Sequence, residues 1–223
     1  MLNEVNPVAA ESPAVAVTSA SLTRKRPKTG ERRIQILQAL ATILEQPGAE
    51  RVTTAALAAR LGVSEAALYR HFASKAQMFE GLIEFIEHSV FSLVNQIAER
   101  EPPSTITDPG AGARHAVKVI VMLLQFAEKN PGMTRVMVGD ALVFENERLQ
   151  QRMNQFFDKI EATVKQWLHS SSDASDSTTP GVDAQVSASA LTAFAVGRLH
   201  RFARSGFKRL PSEHLEASLA SML

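Results

Sequence analysis

The residues best suited to chemistry in this 223-residue chain are hydroxyl, imidazole and cationic side chains within residues 53–75, TTAALAARLGVSEAALYRHFASK. Thr53 and Thr54 open a short apolar helical pattern that ends at Gly62, and Ser64 opens a second one. A short helix, a tight glycine turn and another short helix make the helix-turn-helix geometry. In that geometry the second helix enters the major groove of DNA. The chemistry that this pattern predicts is hydrogen bonding to nucleic acid.

Helical spacing divides this segment into a buried side and an exposed side. The apolar residues that we expect to pack between the two helices are Leu57, Ala58, Leu61, Ala67, Leu68 and Phe72. The residues left facing the base edges are Ser64, Glu65, Ala66, Tyr69 and Arg70. The groups expected at phosphates are the hydroxyls and amides of Thr53 and Thr54 and the side chains of Tyr69, His71 and Lys75. Spacing alone leaves open an ordinary helical hairpin with a polar outer face.

The distribution of charge favours the nucleic-acid interpretation. The formal net charge of the chain is only +1. Residues 24–75, however, carry ten Lys and Arg against four Glu, whereas residues 76–223 are net acidic. A basic segment joined to an acidic remainder is typical of a nucleic-acid-binding head on a larger body. A solvated basic surface is the alternative.

The segment from Thr53 to Lys75 resembles the DNA-binding domain of TetR-type repressors. The resemblance lies in Leu57-Ala58, Leu61-Gly62-Val63-Ser64, Leu68-Tyr69, His71-Phe72 and Ser74-Lys75. It implies an all-α, TetR-like fold, with a three-helix head at residues 29–73, a helical-bundle body at 74–223, and a homodimer that binds a palindromic DNA site. It also implies that the recognition helix covers residues 64–70, and that Tyr69, His71 and Lys75 contact phosphates.

Later parts of the chain resemble the nucleoid occlusion factors, a group within the TetR superfamily. The stretches concerned include FAEKNPGMTRVMVGDAL, FENERLQQRMNQFFDKIEA and RFARSGFKR. The resemblance implies a cytoplasmic, nucleoid-associated protein that, when bound to chromosomal sites, antagonises assembly of the division GTPase FtsZ and blocks the septum over the nucleoid. The surface expected to bind FtsZ comprises Phe85, Met122, Gln125, Lys129 and Asn130.

Each of these expectations has an alternative. Phe85 lies on a helix that a bundle could bury on several sides, and Lys129 and Asn130 have the residue types that end a helix. A ligand-responsive TetR-type repressor, with a small molecule in its helical body, is the alternative function.

Apolar periodicity and turn residues predict helices along most of the chain. We expect residues 1–28 to be a disordered tail, and residues 101–112 and 169–182 to be loops, the second of them mobile. The predicted helices run from Thr29 to the Pro47-Gly48 stop, and over residues 53–61, 64–70, 74–100, 113–129, 133–144, 145–168, 183–205 and 212–222.

The TetR resemblance also implies that the two long helices predicted over residues 145–168 and 183–205 form a two-fold, four-helix interface with a second copy of the chain, with packing inside one chain as the alternative. Small side chains in the second of these helices would allow the helices to approach closely. The residues concerned are Ala188, Ala190, Ala193, Ala195 and Gly197.

Several functional classes lack the residues they require. The chain has no cysteine, which excludes disulfides and thiolate metal sites. Glu-x-x-His, HExxH, nucleotide-binding glycine motifs and serine elbows are also missing, so we predict neither an enzyme nor a cofactor. No apolar run approaches the ~18 residues of a membrane span. The first residues lack a basic start, so we expect no signal peptide and a cytosolic protein.

Overall fold

A computed structural model describes residues 29–46, 51–100, 110–172 and 180–222. Over these residues the chain is helical and contains no strand, which confirms the predicted all-α fold class. The helices are α1 (Thr29–Leu44), α2 (Thr54–Leu61), α3 (Glu65–Tyr69), α4 (Lys75–Arg100), α5 (Ala111–Lys129), α6 (Pro131–Met137), α7 (Glu147–Ser172), α8 (Pro180–Arg204) and α9 (Leu215–Ala220). A short 3-10 helix, Asp140–Leu142, follows α6.

Local hydrogen bonds explain where the short helices of the head begin and end. The hydroxyl of Thr53 accepts a hydrogen bond from the Ala56 amide at 3.1 Å and so caps α2. Gly62 ends α2 with φ +64°, a left-handed conformation that residues with a side chain rarely adopt. Before α4, the Gln77 amide donates to the Ser74 hydroxyl at 3.2 Å. Ser64 precedes α3 as predicted, but its side chain makes no capping bond and is exposed.

The head is joined to the body by close packing of α1 on α6. A Cβ added at Gly132 in α6 would lie 1.9 Å from the carbonyl oxygen of Ala41 in α1. Only glycine permits two backbones to approach so closely. Leu40 and Leu44 of α1 are fully buried in the core, which continues into the body. The orientation of the head therefore depends on α6.

Helices α7 and α8 run antiparallel beside each other. Gln185, early in α8, donates a hydrogen bond to Glu161, late in α7, at 2.8 Å. At the other end, His200 of α8 and Gln150 of α7 line the same surface hollow. Their apolar rows pack inward, and the fully buried members are Leu149, Met153, Phe156, Ile160, Val164, Ala184, Ala188, Leu191, Ala195, Leu199 and Phe202.

Some predicted helix bounds are wrong. The helix predicted over 133–144 begins at Pro131 and ends at Met137, because Gly139 turns the backbone with φ +82°. Helices α7 and α8 extend into both ends of the predicted 169–182 loop, and residues 173–179 between them lie outside the described part of the chain. The predicted tail at residues 1–28, and all of the 101–112 loop except residues 110–112, lie outside it as well.

Candidate nucleic-acid interface

The outer face of α3 carries the residues predicted to meet base edges. Ser64, Glu65, Ala66 and Arg70 are exposed, and Tyr69 retains 45% of its accessible surface. On the opposite face Leu57, Ala58, Leu68 and Phe72 are buried as predicted. Leu61 and Ala67, also predicted there, are only half-buried. The recognition helix itself is short, Glu65–Tyr69, so Ser64 and Arg70 flank it.

A hydrogen bond joins the starts of α2 and α3. The Thr54 hydroxyl donates to Oε2 of Glu65 at 2.5 Å. This bond fixes the carboxylate of Glu65 and occupies the hydroxyl proton of Thr54. The Thr53 hydroxyl accepts from Ala56, which leaves its own proton for an outside acceptor such as a phosphate oxygen. Of the two predicted threonine contacts, Thr53 therefore keeps the better donor.

Arg33 of α1 holds the turn that follows α3. Its guanidinium donates to the carbonyl oxygen of His71 at 2.5 Å and lies over the Phe72 ring, 4.1 Å from the centroid. The His71 side chain is half-buried, and its Nδ1 atom is buried without a hydrogen-bond partner in the described part of the chain. His71 is thus less open to a phosphate than its place in the sequence suggests. Nothing in the local pattern around Arg33 indicated this supporting role.

Lys75, the predicted phosphate contact at the start of α4, forms an ion pair with the body. Its Nζ atom lies 2.5 Å from Oε1 of Glu145, just before α7. The Lys75 side chain is 30% exposed and that of Glu145 only 10% exposed. Because Glu145 is far away in the sequence and no local motif marks it, sequence analysis missed it.

Further contacts join the head and α4 to the segment around the start of α7. Arg152 donates to Glu87 at 2.7 Å, and the Arg148–Glu80 pair measures 3.9 Å. On the head, the Arg51 guanidinium lies 5.1 Å from the centre of the Phe144 ring. The segment from Phe144 to Arg152 therefore contacts both the head and α4.

The residues predicted to bind a division protein lie on α4 and α5, which pack against each other. Phe85 is 40% exposed and borders a shallow apolar pocket with Ile34 and Met133. On α5, Gln125 and Lys129 are exposed, whereas Met122 is half-buried.

Asn130 also has a structural role at the end of α5. Its side-chain amide donates to the carbonyl oxygen of Phe126 at 2.7 Å, and its own carbonyl oxygen accepts from the Thr134 amide at 3.0 Å. Asn130 therefore stabilises the junction of α5 and α6, as the capping alternative predicts.

Two negative findings apply to the described residues. None of their helices is long and apolar enough to cross a bilayer. No three of their His, Asp or Glu side chains form a group able to hold a metal ion.

Two family models match the chain. The model for bacterial regulatory proteins of the TetR family matches residues 36–82, and the SlmA-like model for a tetracyclin repressor-like C-terminal domain matches residues 114–222. Among solved structures, similarity extends to the transcriptional regulator FadR from Bacillus subtilis in complex with stearoyl-CoA (TM-score 0.66, 13% identity, 85% of this chain and 96% of that one). The regulator PfmR from Thermus thermophilus is also similar (TM-score 0.66, 19% identity, 85% and 97%).

Two relatives of much higher identity carry the same name. The nucleoid occlusion factor SlmA of Idiomarina loihiensis is 50% identical over 186 residues, which cover 83% of this chain and 90% of that protein. The SlmA protein of Vibrio cholerae is 48% identical over 187 residues, with 83% and 90% covered. The low-identity structures show the fold, whereas these relatives match both head and body. The chain therefore belongs to the TetR family and, within it, to the group of the nucleoid occlusion factor SlmA.

Proposed function

We propose that this protein is a nucleoid occlusion factor that binds dispersed chromosomal sites and, when bound there, antagonises FtsZ assembly. The observation that carries the proposal is identity of about 50% to SlmA proteins that extends over the body as well as the head. Because TetR-family members are DNA-binding regulators, the chain is a DNA-binding protein and not an enzyme, as the sequence predicted.

In this proposal the exposed side of the head forms the DNA interface. Ser64, Glu65, Ala66, Tyr69 and Arg70 face the base edges, and the small side chain of Ala66 permits close approach of the helix. Thr53, Tyr69 and Lys75 hold phosphates through their side chains, and Thr54 does so through its backbone amide at the start of α2. His71 contributes only the part of its ring that stays accessible. Cationic and hydroxyl contacts to phosphate position a protein on DNA, while contacts to base edges select the sequence.

A second copy of the chain completes the DNA-binding unit. One exposed stripe of α8 carries small and apolar side chains, with Val182 and Val186 more than 60% exposed. It continues through Ala190, Ala193 and Gly197. Such a face is costly to leave in water and fits a second α8. Ala188 and Ala195, also predicted for this contact, are instead buried inside one chain, because they face α5 and α7 rather than solvent.

The FtsZ surface in this proposal lies on the outer side of α4 and α5. Phe85 and its neighbour Ile34 form an apolar patch at the surface, because Phe85 is 40% exposed and Ile34 is 49% exposed. Lys129 supplies an exposed charge at the end of α5. Gln125 is exposed and half-buried Met122 lies on the same helix, whereas Asn130 contributes through the local backbone that it stabilises.

The experiment that tests the function is sedimentation of FtsZ polymers in the presence of this protein. DNA fragments bound by the protein are first selected from its own chromosome and mapped. We expect less pelleted FtsZ when the protein and a selected fragment are added together than with either alone, and no such effect with a scrambled fragment. Unchanged pelleting with the bound fragment would contradict the proposal. If the map holds only one or two promoter sites beside its own gene, the protein is a local repressor instead.

A further inference from the structure

A cluster of cationic side chains occupies the end of α8 and the turn that follows it. Arg201, Arg204, Lys208 and Arg209 are all exposed. No Asp or Glu occurs in the sequence between Asp183 and Glu213, and no acidic side chain in the described part of the chain pairs with any of the four. Because residues 76–223 are net acidic, this concentration of positive charge is a local feature of the body.

The turn is held in one conformation. Gly206 and Phe207 have φ of +63° and +64°, and for phenylalanine this left-handed backbone is unfavourable. The Phe207 ring packs edge-on against Phe202, with centroids 5.1 Å apart. The Ser205 hydroxyl oxygen accepts from the Lys208 and Arg209 amides at 3.1 and 2.9 Å. The two cations are therefore presented from a fixed backbone rather than from a loose loop.

The cluster lies at the end of the body that is nearest to the head. Arg135 of α6 places its guanidinium over the Phe207 ring, 5.2 Å from the centroid, and α6 packs directly on α1 through Gly132. On the other side, His200 of α8 lines a hollow with Val143, two residues before Glu145. Glu145 in turn binds Lys75, the predicted phosphate contact of the head. The cationic cluster thus lies on the part of the body that adjoins the head.

We propose that this cluster is a second contact surface for the DNA backbone, supplied by the body rather than by the head. The inference rests on the proposed DNA-binding function. Double-stranded DNA carries about one negative charge per 1.7 Å of its axis, so duplex that extends from the site held by the head offers phosphates to nearby cations. Interaction with the helix dipole accounts for Arg201 and Arg204 in the last turn of α8, but not for Lys208 and Arg209 beyond it.

The variant that tests the proposal is Lys208→Ala combined with Arg209→Ala. Their backbone amides, and not their side chains, bind Ser205, so the turn is preserved. Binding to a long duplex of random sequence is measured by fluorescence anisotropy over a range of salt concentrations. We expect weaker binding, with a salt slope reduced by about 0.9 for each phosphate that the variant no longer neutralises. The matched control is Lys159→Ala with Lys165→Ala in α7, which removes the same charge and leaves the slope unchanged.

Other outcomes separate this inference from the proposed function. Equal slopes for wild type and variant, or an equal decrease in variant and control, overturn the inference while DNA binding stands. If the wild type binds polyglutamate, and the double variant loses that binding but keeps its DNA affinity, the inference is also overturned, because the surface then binds an acidic protein. Failure of the wild type to bind any duplex contradicts the proposed function itself. If light scattering shows that Lys208→Ala with Arg209→Ala differs from the wild type in oligomeric mass, the double variant Lys208→Gln with Arg209→Gln is used instead. Its salt slope then supports or overturns the inference in the same way.

Discussion

Lys75 and Glu145 form an ion pair of 2.5 Å that joins the first residue of α4 to the segment before α7. The carboxylate is largely buried, while the ammonium group keeps partial access to solvent. A phosphate that approaches Lys75 therefore meets a lysine already paired with an anion. The ammonium group has three N–H donors and can donate to phosphate and carboxylate at once, but its single positive charge is then shared between two anions.

Replacing Glu145 by Gln is expected to tighten DNA binding. The amide has no charge to hold Lys75, so the ammonium group becomes available to phosphate. The Lys75 ammonium group is 30% exposed, so solvent screens its charge, and a screened ion pair of about 1 kcal/mol corresponds to a gain in affinity of about fivefold. Titration of a labelled duplex measures it. In a Lys75→Ala background, Glu145→Gln should leave DNA affinity unchanged. Weaker DNA binding by the Glu145→Gln single variant would contradict this prediction and mean that the ion pair positions the head for DNA.

Lys75 and Arg70 are expected to differ in what they contribute to DNA recognition. Lys75→Ala should weaken binding to all sequences about equally and reduce the salt slope by about one per protomer, because it removes a phosphate contact. Arg70→Ala should cost about 1–3 kcal/mol on the preferred site and relax preference at one position. Competition between selected and scrambled duplexes measures both. A change of sequence preference in Lys75→Ala would refute this division of roles.

Gly132→Ala is expected to destabilise the protein by separating α6 from α1. The added Cβ would lie 1.9 Å from the Ala41 carbonyl oxygen, so the two helices must move apart. Overpacking of this kind costs about 1–3 kcal/mol. Urea unfolding measures the decrease in stability. Gly30→Ala is the matched control, because a Cβ there meets no atom within 4 Å and its effect should be small. Equal stability of the two variants would contradict the described head-to-body packing.

Val186→Glu is expected to yield a monomer. Val186 is 63% exposed in one chain and lies in the apolar face of α8, so a carboxylate there would be buried and unpaired against a second copy. Light scattering at micromolar concentration measures the mass. Gln96→Glu, at an exposed position of α4, adds the same charge outside the two long helices and should leave the dimer intact. A wild-type mass of one chain would contradict the dimer.

Phe85→Ala and Lys129→Ala are expected to separate the two proposed activities. Both side chains are exposed and lie outside the helix-turn-helix segment, so DNA affinity should stay within about twofold of wild type, the small range typical of surface substitutions. The DNA-dependent effect on FtsZ pelleting should disappear. Lys165→Ala serves as the control on another helix. Loss of DNA binding in both variants would show that the activities share one surface.

The helix-turn-helix head could be predicted because its determinants are local. Thr53 bonds to the amide of Ala56, and Gly62 ends α2 through its own backbone freedom. Ser74 and Gln77 interact across three residues. Such contacts depend on residues within one turn of each other, so they can be inferred from the order of the amino acids. The same reasoning found the exposed side of α3.

The all-α class, the head and the family resemblance of the body could be inferred from the order of the amino acids. The other features arose only from the packing of distant segments. Small residues such as Ala188 and Ala193 suit either a buried or an exposed face, and only the packing of α8 on α5 and α7 separates them. The partner of Lys75 likewise depended on folding, because an ion pair between distant residues forms only where the chain brings them together, and no local pattern encodes that approach.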